Sequence, residues 1–123
     1  MTERKNIVLT EAHRGGAGST SFSGRPEGEA VRKQLKLAKL DKDNNYYVVM
    51  MPADTTTFNP SFYLGLFFES IKSLGMAEFK RKYLISLDNL YEESKQTIAT
   101  DIKDALWRAT NDLKNLSPFD GYF

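Results

Sequence analysis

The apolar positions of this chain fall into blocks that alternate between strand-like and helix-like spacing. Ile7, Val8 and Leu9 form a short β-branched and apolar run of strand type. Residues 14–28, RGGAGSTSFSGRPEG, are dense in Gly and Ser and read as a mobile loop. Pro26 suits the first turn of a helix running to about Leu40. Ala30, Val31, Leu35 and Ala38 would be its buried stripe, with Arg32, Lys33, Lys36 and Lys39 in water. The turn sequence DKDNN, residues 41–45, reverses the chain. A continuous apolar run from Tyr46 to Met51 follows and stops at Pro52. It predicts a strand covered on both faces, as in a parallel or mixed sheet with helices around it.

The next block, TTTFNPSFYLGLFFESIKSLG, predicts a helix with defined ends. Asn59 is a good N-cap, Pro60 fits the first helical position, and Gly75 closes the helix. Leu64, Phe67, Phe68, Ile71 and Leu74 share one face, and Phe62, Tyr63 and Leu66 spread apolar character nearly all round, so the helix should be largely buried. Gly65 inside it costs ~1 kcal/mol against alanine, which close packing of the helix on the sheet would offset. KRKYLISL at 80–87 reads as another inner strand through Tyr83, Leu84, Ile85 and Leu87. From Leu90 to about Leu116, Tyr91, Ile98, Ile102, Ala105, Ala109, Leu113 and Leu116 recur at helical spacing, with Trp107 at the edge of the stripe. Residues 117–123, SPFDGYF, form a tail.

The order strand, loop, helix, strand, helix, strand, helix is the alternation of an α/β layer with right-handed crossovers. A length of 123 residues supports one domain with one core. Residues 1–25 form its N-terminal strand and loop, 26–116 its body and 117–123 its tail.

Composition narrows the chemistry. There is no cysteine and a single histidine, His13, which excludes disulfides, thiolate catalysis and multi-histidine metal sites. His13 lies in a polar loop with no evident partner and is expected in solvent. No catalytic constellation is complete, and no metal or cofactor is implied. The net charge of +1 gives no general pull toward nucleic acid or membranes. The N-terminus lacks a signal-peptide core, and no run approaches the ~18 apolar residues of a membrane span. A soluble cytoplasmic protein is the expectation.

Five features invite a functional reading. Ser61 lies in the first turn of the Asn59-capped helix, where a phosphate would meet free N–H groups and the helix dipole, although serine is also common there for purely structural reasons. Asp54 with Thr55, Thr56 and Thr57 follows a strand, where α/β sheets place their sites; ordinary turn chemistry explains the same residues. Arg25 and Gly28 at a helix start could contact an anion. GGAGSTS at 15–21 lacks the Lys-Ser/Thr of a phosphate loop and reads as a connection. The basic face of Arg32, Lys33, Lys36 and Lys39 has no aromatic companion, which disfavours nucleic acid and leaves an acidic partner or a solvated face.

The segment TFNPSFYLGLFFESIKSLG resembles the phosphorylation-site region of STAS domains, the fold of bacterial anti-sigma-factor antagonists. Thr57, Phe58, Leu64, Gly65 and Leu66 match that region without gaps, and Leu74-Gly75 matches its helix end. Ser61 then falls on the family's phosphoacceptor. Pro60 stands where the family carries an acidic residue, and Phe62 and Tyr63 where it carries small ones. FSGRPEGEAVRKQL, from Phe22 to about Leu35, is similar to the Arg-x-x-Gly segment of STAS-like domains of unknown function in bacterial and phage genomes. Together the two stretches cover roughly half the chain. The resemblance implies a small single-domain STAS-like α/β fold, with a mixed β-sheet packed against helices. It implies a non-enzymatic regulatory or protein-interaction module of a bacterial signalling or phage-defence system. The working surface would be the loop 52–61, with Asp54, Thr57, Asn59 and Ser61, and the exposed start of the 60–74 helix, and the partner a histidine-kinase-type ATPase or a phage-defence component. Two other expectations stay open: a small-ligand or nucleotide binder using Arg25 and the loop from Asp54 to Thr57, and an oligomeric subunit that buries the Phe and Tyr excess.

Overall fold

The computed structural model describes residues 3–15 and 18–116, so the expected tail 117–123 lies outside the described residues. The chain runs β1 (Arg4–Val8), a 3-10 turn (Glu11–Arg14), β2 (Ser21–Phe22), α1 (Arg25–Leu35), α2 (Leu37–Leu40), β3 (Tyr46–Met50) and β4 (Thr57–Phe58). It continues through α3 (Pro60–Leu74), α4 (Met76–Lys82), β5 (Tyr83–Ile85) and α5 (Glu92–Leu116). This is an α/β fold. β3 lies between β1 and β5 in one parallel sheet, and β2 pairs with β4, also in parallel, in a second.

The register sets Ile7 beside Val49 and Val49 beside Ile85, with Tyr47 beside Tyr83. Ile7, Tyr47, Val49 and Tyr83 are buried on that face. The opposite face carries exposed Val8 and Leu84 and half-buried Val48 and Met50. The expectation that β3 is covered on both faces therefore holds for one face only. Strand order β1-β3-β5 advances in one direction, and right-handed crossovers then place their helices on the same side.

Three local expectations change. The KRKYLISL stretch is not an inner strand: α4 runs through Lys82, and the short β5 is an edge strand. Gly75, at φ 85°, ends α3 and directly starts α4, whose Phe79 N–H donates to the Gly75 carbonyl at 2.9 Å. The predicted helix to Leu40 breaks at Lys36, which adopts a left-handed conformation with φ 57°. That break shifts the helical phase, so Leu37 turns inward while Ala38 is exposed, as is Ala30. The loop 14–28 contains β2 and opens α1 at Arg25.

Among the described residues most aromatic side chains are buried inside the domain, while Tyr91 and Trp107 are exposed. Phe22 stacks on Phe58, with ring centroids 5.2 Å apart, and Phe58 meets Tyr63 at 5.8 Å. Tyr63 meets Phe67 at 5.1 Å, Phe67 meets Tyr83 at 5.5 Å, and Tyr83 stacks on Tyr47 at 5.6 Å. One aromatic line thus connects the small sheet to the larger one across α3.

Two polar clusters fix the 41–45 turn beneath it. Buried Asp41 accepts hydrogen bonds from Arg32 Nη2 at 2.9 Å, Ser70 Oγ at 2.8 Å and Tyr83 Oη at 2.6 Å. Arg32 is therefore half-buried and engaged, not a solvent residue. Buried Lys82 donates through Nζ to Asp43 Oδ1 at 2.9 Å and to the carbonyls of Asp43 and Asn45 at 2.8 and 2.9 Å. Every proton of that ammonium has an acceptor, which is what makes burying the charge tolerable.

Candidate functional site

The loop from Pro52 to Ser61 leaves the C-terminal end of the central strand and delivers the chain to α3. It is held at several points. Thr55 donates its N–H and its hydroxyl to the Pro52 carbonyl, at 3.0 and 2.7 Å, closing a local turn. Arg14 reaches into this turn from the 3-10 segment, donating through Nη1 to Asp54 Oδ1 at 2.8 Å and to Thr55 Oγ1 at 3.1 Å. The Arg14 side chain is 1% exposed and the Asp54 side chain 46%. Asp54 is thus a half-open carboxylate on a buried guanidinium. The hydrogen bond from Arg14 holds its carboxyl below the ordinary carboxylate value.

Beyond the turn, Thr56 donates its N–H to the Thr20 carbonyl at 2.8 Å, and Thr57 takes its place in the small sheet opposite Ser21. The N–H of Phe58 donates to Asp101 Oδ2 of α5 at 3.0 Å. Burial of Asp101 pushes its carboxyl above the usual value, against the lowering effect of that hydrogen bond. Asn59 then caps α3: its Oδ1 accepts the Ser61 N–H at 2.8 Å, and its carbonyl accepts the first helical bond, from Tyr63. Ser61 is half-buried at the second position of the helix, next to exposed Asn59. Its hydroxyl takes part in no hydrogen bond among the described residues.

Asp54, Thr57, Asn59 and Ser61 therefore lie along one anchored segment. Arg25 does not join them. Its guanidinium lies 5.4 Å from the centre of the Phe68 ring and 3.9 Å from Glu29, on a different side of α1. The groove that Arg25 lines runs between α1 and α3 and encloses about 520 Å³. His13 is not idle: its Nδ1 accepts the Thr10 N–H at 3.0 Å and closes the capping box of the 3-10 turn, so its free proton resides on Nε2. It is committed to that cap and not to a nucleophile. Among the described residues no group of three or more His, Asp or Glu could hold a metal ion. No helix there is long and apolar enough to cross a membrane.

Sequence reasoning missed Arg14 and Asp101, the two side chains that anchor the loop. Arg14 stands before a run of glycines that reads as mobile, and only the Thr10 and His13 capping pair hinted at order there. Asp101 is one acid among several on a long polar helix, and nothing local separates it from its neighbours. No family model matches this chain, and no curated protein or solved structure matches it either.

Proposed function

We propose that this chain is a non-enzymatic regulatory and protein-interaction module of STAS-like type, working through the loop 52–61 and the start of α3. One observation carries the reading: an anchored loop presents a capped helix start with a serine hydroxyl that has no hydrogen-bond partner among the described residues. A partner protein would meet a fixed surface there, because Arg14, Thr20 and Asp101 hold the loop from three other segments. A phosphate on Ser61 would add about two negative charges at the positive end of the α3 dipole, changing that surface without disturbing the core.

The residue resemblance adds a partner class, a histidine-kinase-type ATPase of bacterial signalling or phage defence. The nucleotide-binding alternative needs Arg25 beside Asp54 and Thr57. With Arg25 over Phe68, the interaction reading is the better supported of the two. Mass spectrometry of protein purified from its native source tests the switch, together with pull-downs comparing wild type, Ser61→Asp and Ser61→Ala. Phosphate at Ser61, and a partner retained by one variant and released by the other, is the expected result. Unmodified Ser61 with identical partners on all three baits would reject it.

A further inference from the structure

We propose that the groove between α1 and α3 docks an acidic amphipathic helix supplied by a partner protein, at a surface separate from the Ser61 loop. The groove begins where the two helices touch. Gly28 and Gly65 let the backbones meet, since a Cβ on Gly65 would lie 2.2 Å from the Arg25 carbonyl oxygen. Beside that contact the surface recesses, with Leu64 and Phe68 at its apolar base and Lys33, Lys36 and Lys39 on its rim. The recess holds about 520 Å³, and at its floor Leu64 and Phe68 expose 5% and 7% of their surface.

The charges define the occupant. Among the groove's other ionic residues, Arg25 lies 3.9 Å from Glu29, Arg32 is bonded to Asp41, and Glu69 lies 3.5 Å from Lys72. Lys33, Lys36 and Lys39 are exposed, and none has an ion-pair partner among the described residues. Lys36 is also the one described residue besides glycine with a positive φ. That conformation breaks α1 from α2 while its side chain lines the groove with those of Lys33 and Lys39. The result is three unpaired cations bordering an apolar recess.

A helix carrying apolar residues at i, i+4 and i+7, flanked by carboxylates, matches both features at once. Nucleic acid matches them less well. The groove's aromatic ring, Phe68, is 7% exposed, with Arg25 and Lys72 over it at 5.4 and 6.0 Å, so it offers no stacking platform.

The test is a titration of ¹⁵N-labelled protein, followed by amide shifts and by fluorescence anisotropy. Four probes are used: a synthetic Leu/Glu amphipathic helical peptide, its scrambled isomer, a single-stranded oligonucleotide, and phosphatidylglycerol vesicles. The amphipathic peptide should shift amides of α1, α2 and α3, and bind more weakly as salt rises. The triple variant Lys33→Gln/Lys36→Gln/Lys39→Gln should lose about tenfold in affinity, and the corresponding triple Arg variant should keep it. Thermal melts of both variants check the fold. The proposal is overturned if the peptide leaves the groove amides unmoved, or if the Gln variant binds as tightly as wild type. Tighter binding by the scrambled peptide, the oligonucleotide or the vesicles at these amides also overturns it.

Discussion

Gly28 of α1 and Gly65 of α3 face each other across a helix contact so close that neither position has room for a methyl group. A Cβ on Gly28 would lie 2.2 Å from the Phe62 carbonyl oxygen and 3.1 Å from the Gly65 Cα. A Cβ on Gly65 would meet the Arg25 carbonyl oxygen at 2.2 Å and the Glu29 nitrogen at 2.9 Å. The obstacles are backbone atoms, which cannot rotate away. The close packing expected of Gly65 is thus real, but its counterpart is α1 and not the sheet.

Alanine at Gly65 should therefore destabilise the protein by about 1–3 kcal/mol or more, the cost of overpacking a rigid contact. The sign is diagnostic, because in an unencumbered helix the same change stabilises by ~1 kcal/mol. Urea denaturation of Gly65→Ala and Gly28→Ala measures it. A gain in stability for either would show that the helices have room to separate at no cost.

Lys36→Gly should act in the opposite direction. A left-handed residue with a Cβ costs about 1 kcal/mol relative to glycine, so relieving φ 57° should raise stability by about that amount. The same variant removes one rim cation and should weaken the acidic peptide's binding. Thermal melts and the peptide titration, run on one sample, read both effects.

The acid limb of the stability curve should depend on Asp43. Burial works to raise its carboxyl, but hydrogen bonds from Tyr47 Oη, Lys82 Nζ and Asn45 outweigh it and hold the group well below its ordinary value of 3.8. A carboxyl depressed on folding contributes stability that is complete above the unfolded value and is lost as pH falls below about 4 toward the folded value. Asp43→Asn should therefore flatten the decline below pH 4 in denaturation curves. Asp101 has the reverse sign. Its carboxyl is raised, so the stability it contributes is complete below its ordinary value of 3.8 and is lost as pH rises through the folded value. Asp101→Asn keeps an acceptor for the Phe58 N–H and should be tolerated at neutral pH. Asp101→Leu leaves that donor unpaired and should cost about 1–3 kcal/mol.

Arg14 should control the order of the loop. Arg14→Met retains much of the buried stem but withdraws the donors to Asp54 and Thr55. Hydrogen exchange at the Thr55 and Thr56 amides should quicken, while the amides of β3 and mid-α3 stay protected. Unchanged loop exchange would mean that the Thr55 turn and the small sheet suffice without the guanidinium.

Features that depend on near neighbours along the chain were legible from the residues alone. The α/β alternation, the burial of α3, its Asn59 and Pro60 start and its Gly75 end all follow from periodicity and capping, which act within one or two turns. The position of Ser61 in the first turn of α3 belongs with them. Tertiary structure decided everything that required two distant segments to meet. It set Gly65 against Gly28, Arg14 against Asp54, Asp101 beneath Phe58, and Lys82 into a cage of acceptors from the 41–45 turn. It also separated Arg25 from Asp54, and it left one face of the larger sheet only partly covered. A glycine, an arginine or a lysine looks the same in sequence whether it faces water or a partner 40 residues away. Its role is fixed only when the core closes and each buried donor must find an acceptor.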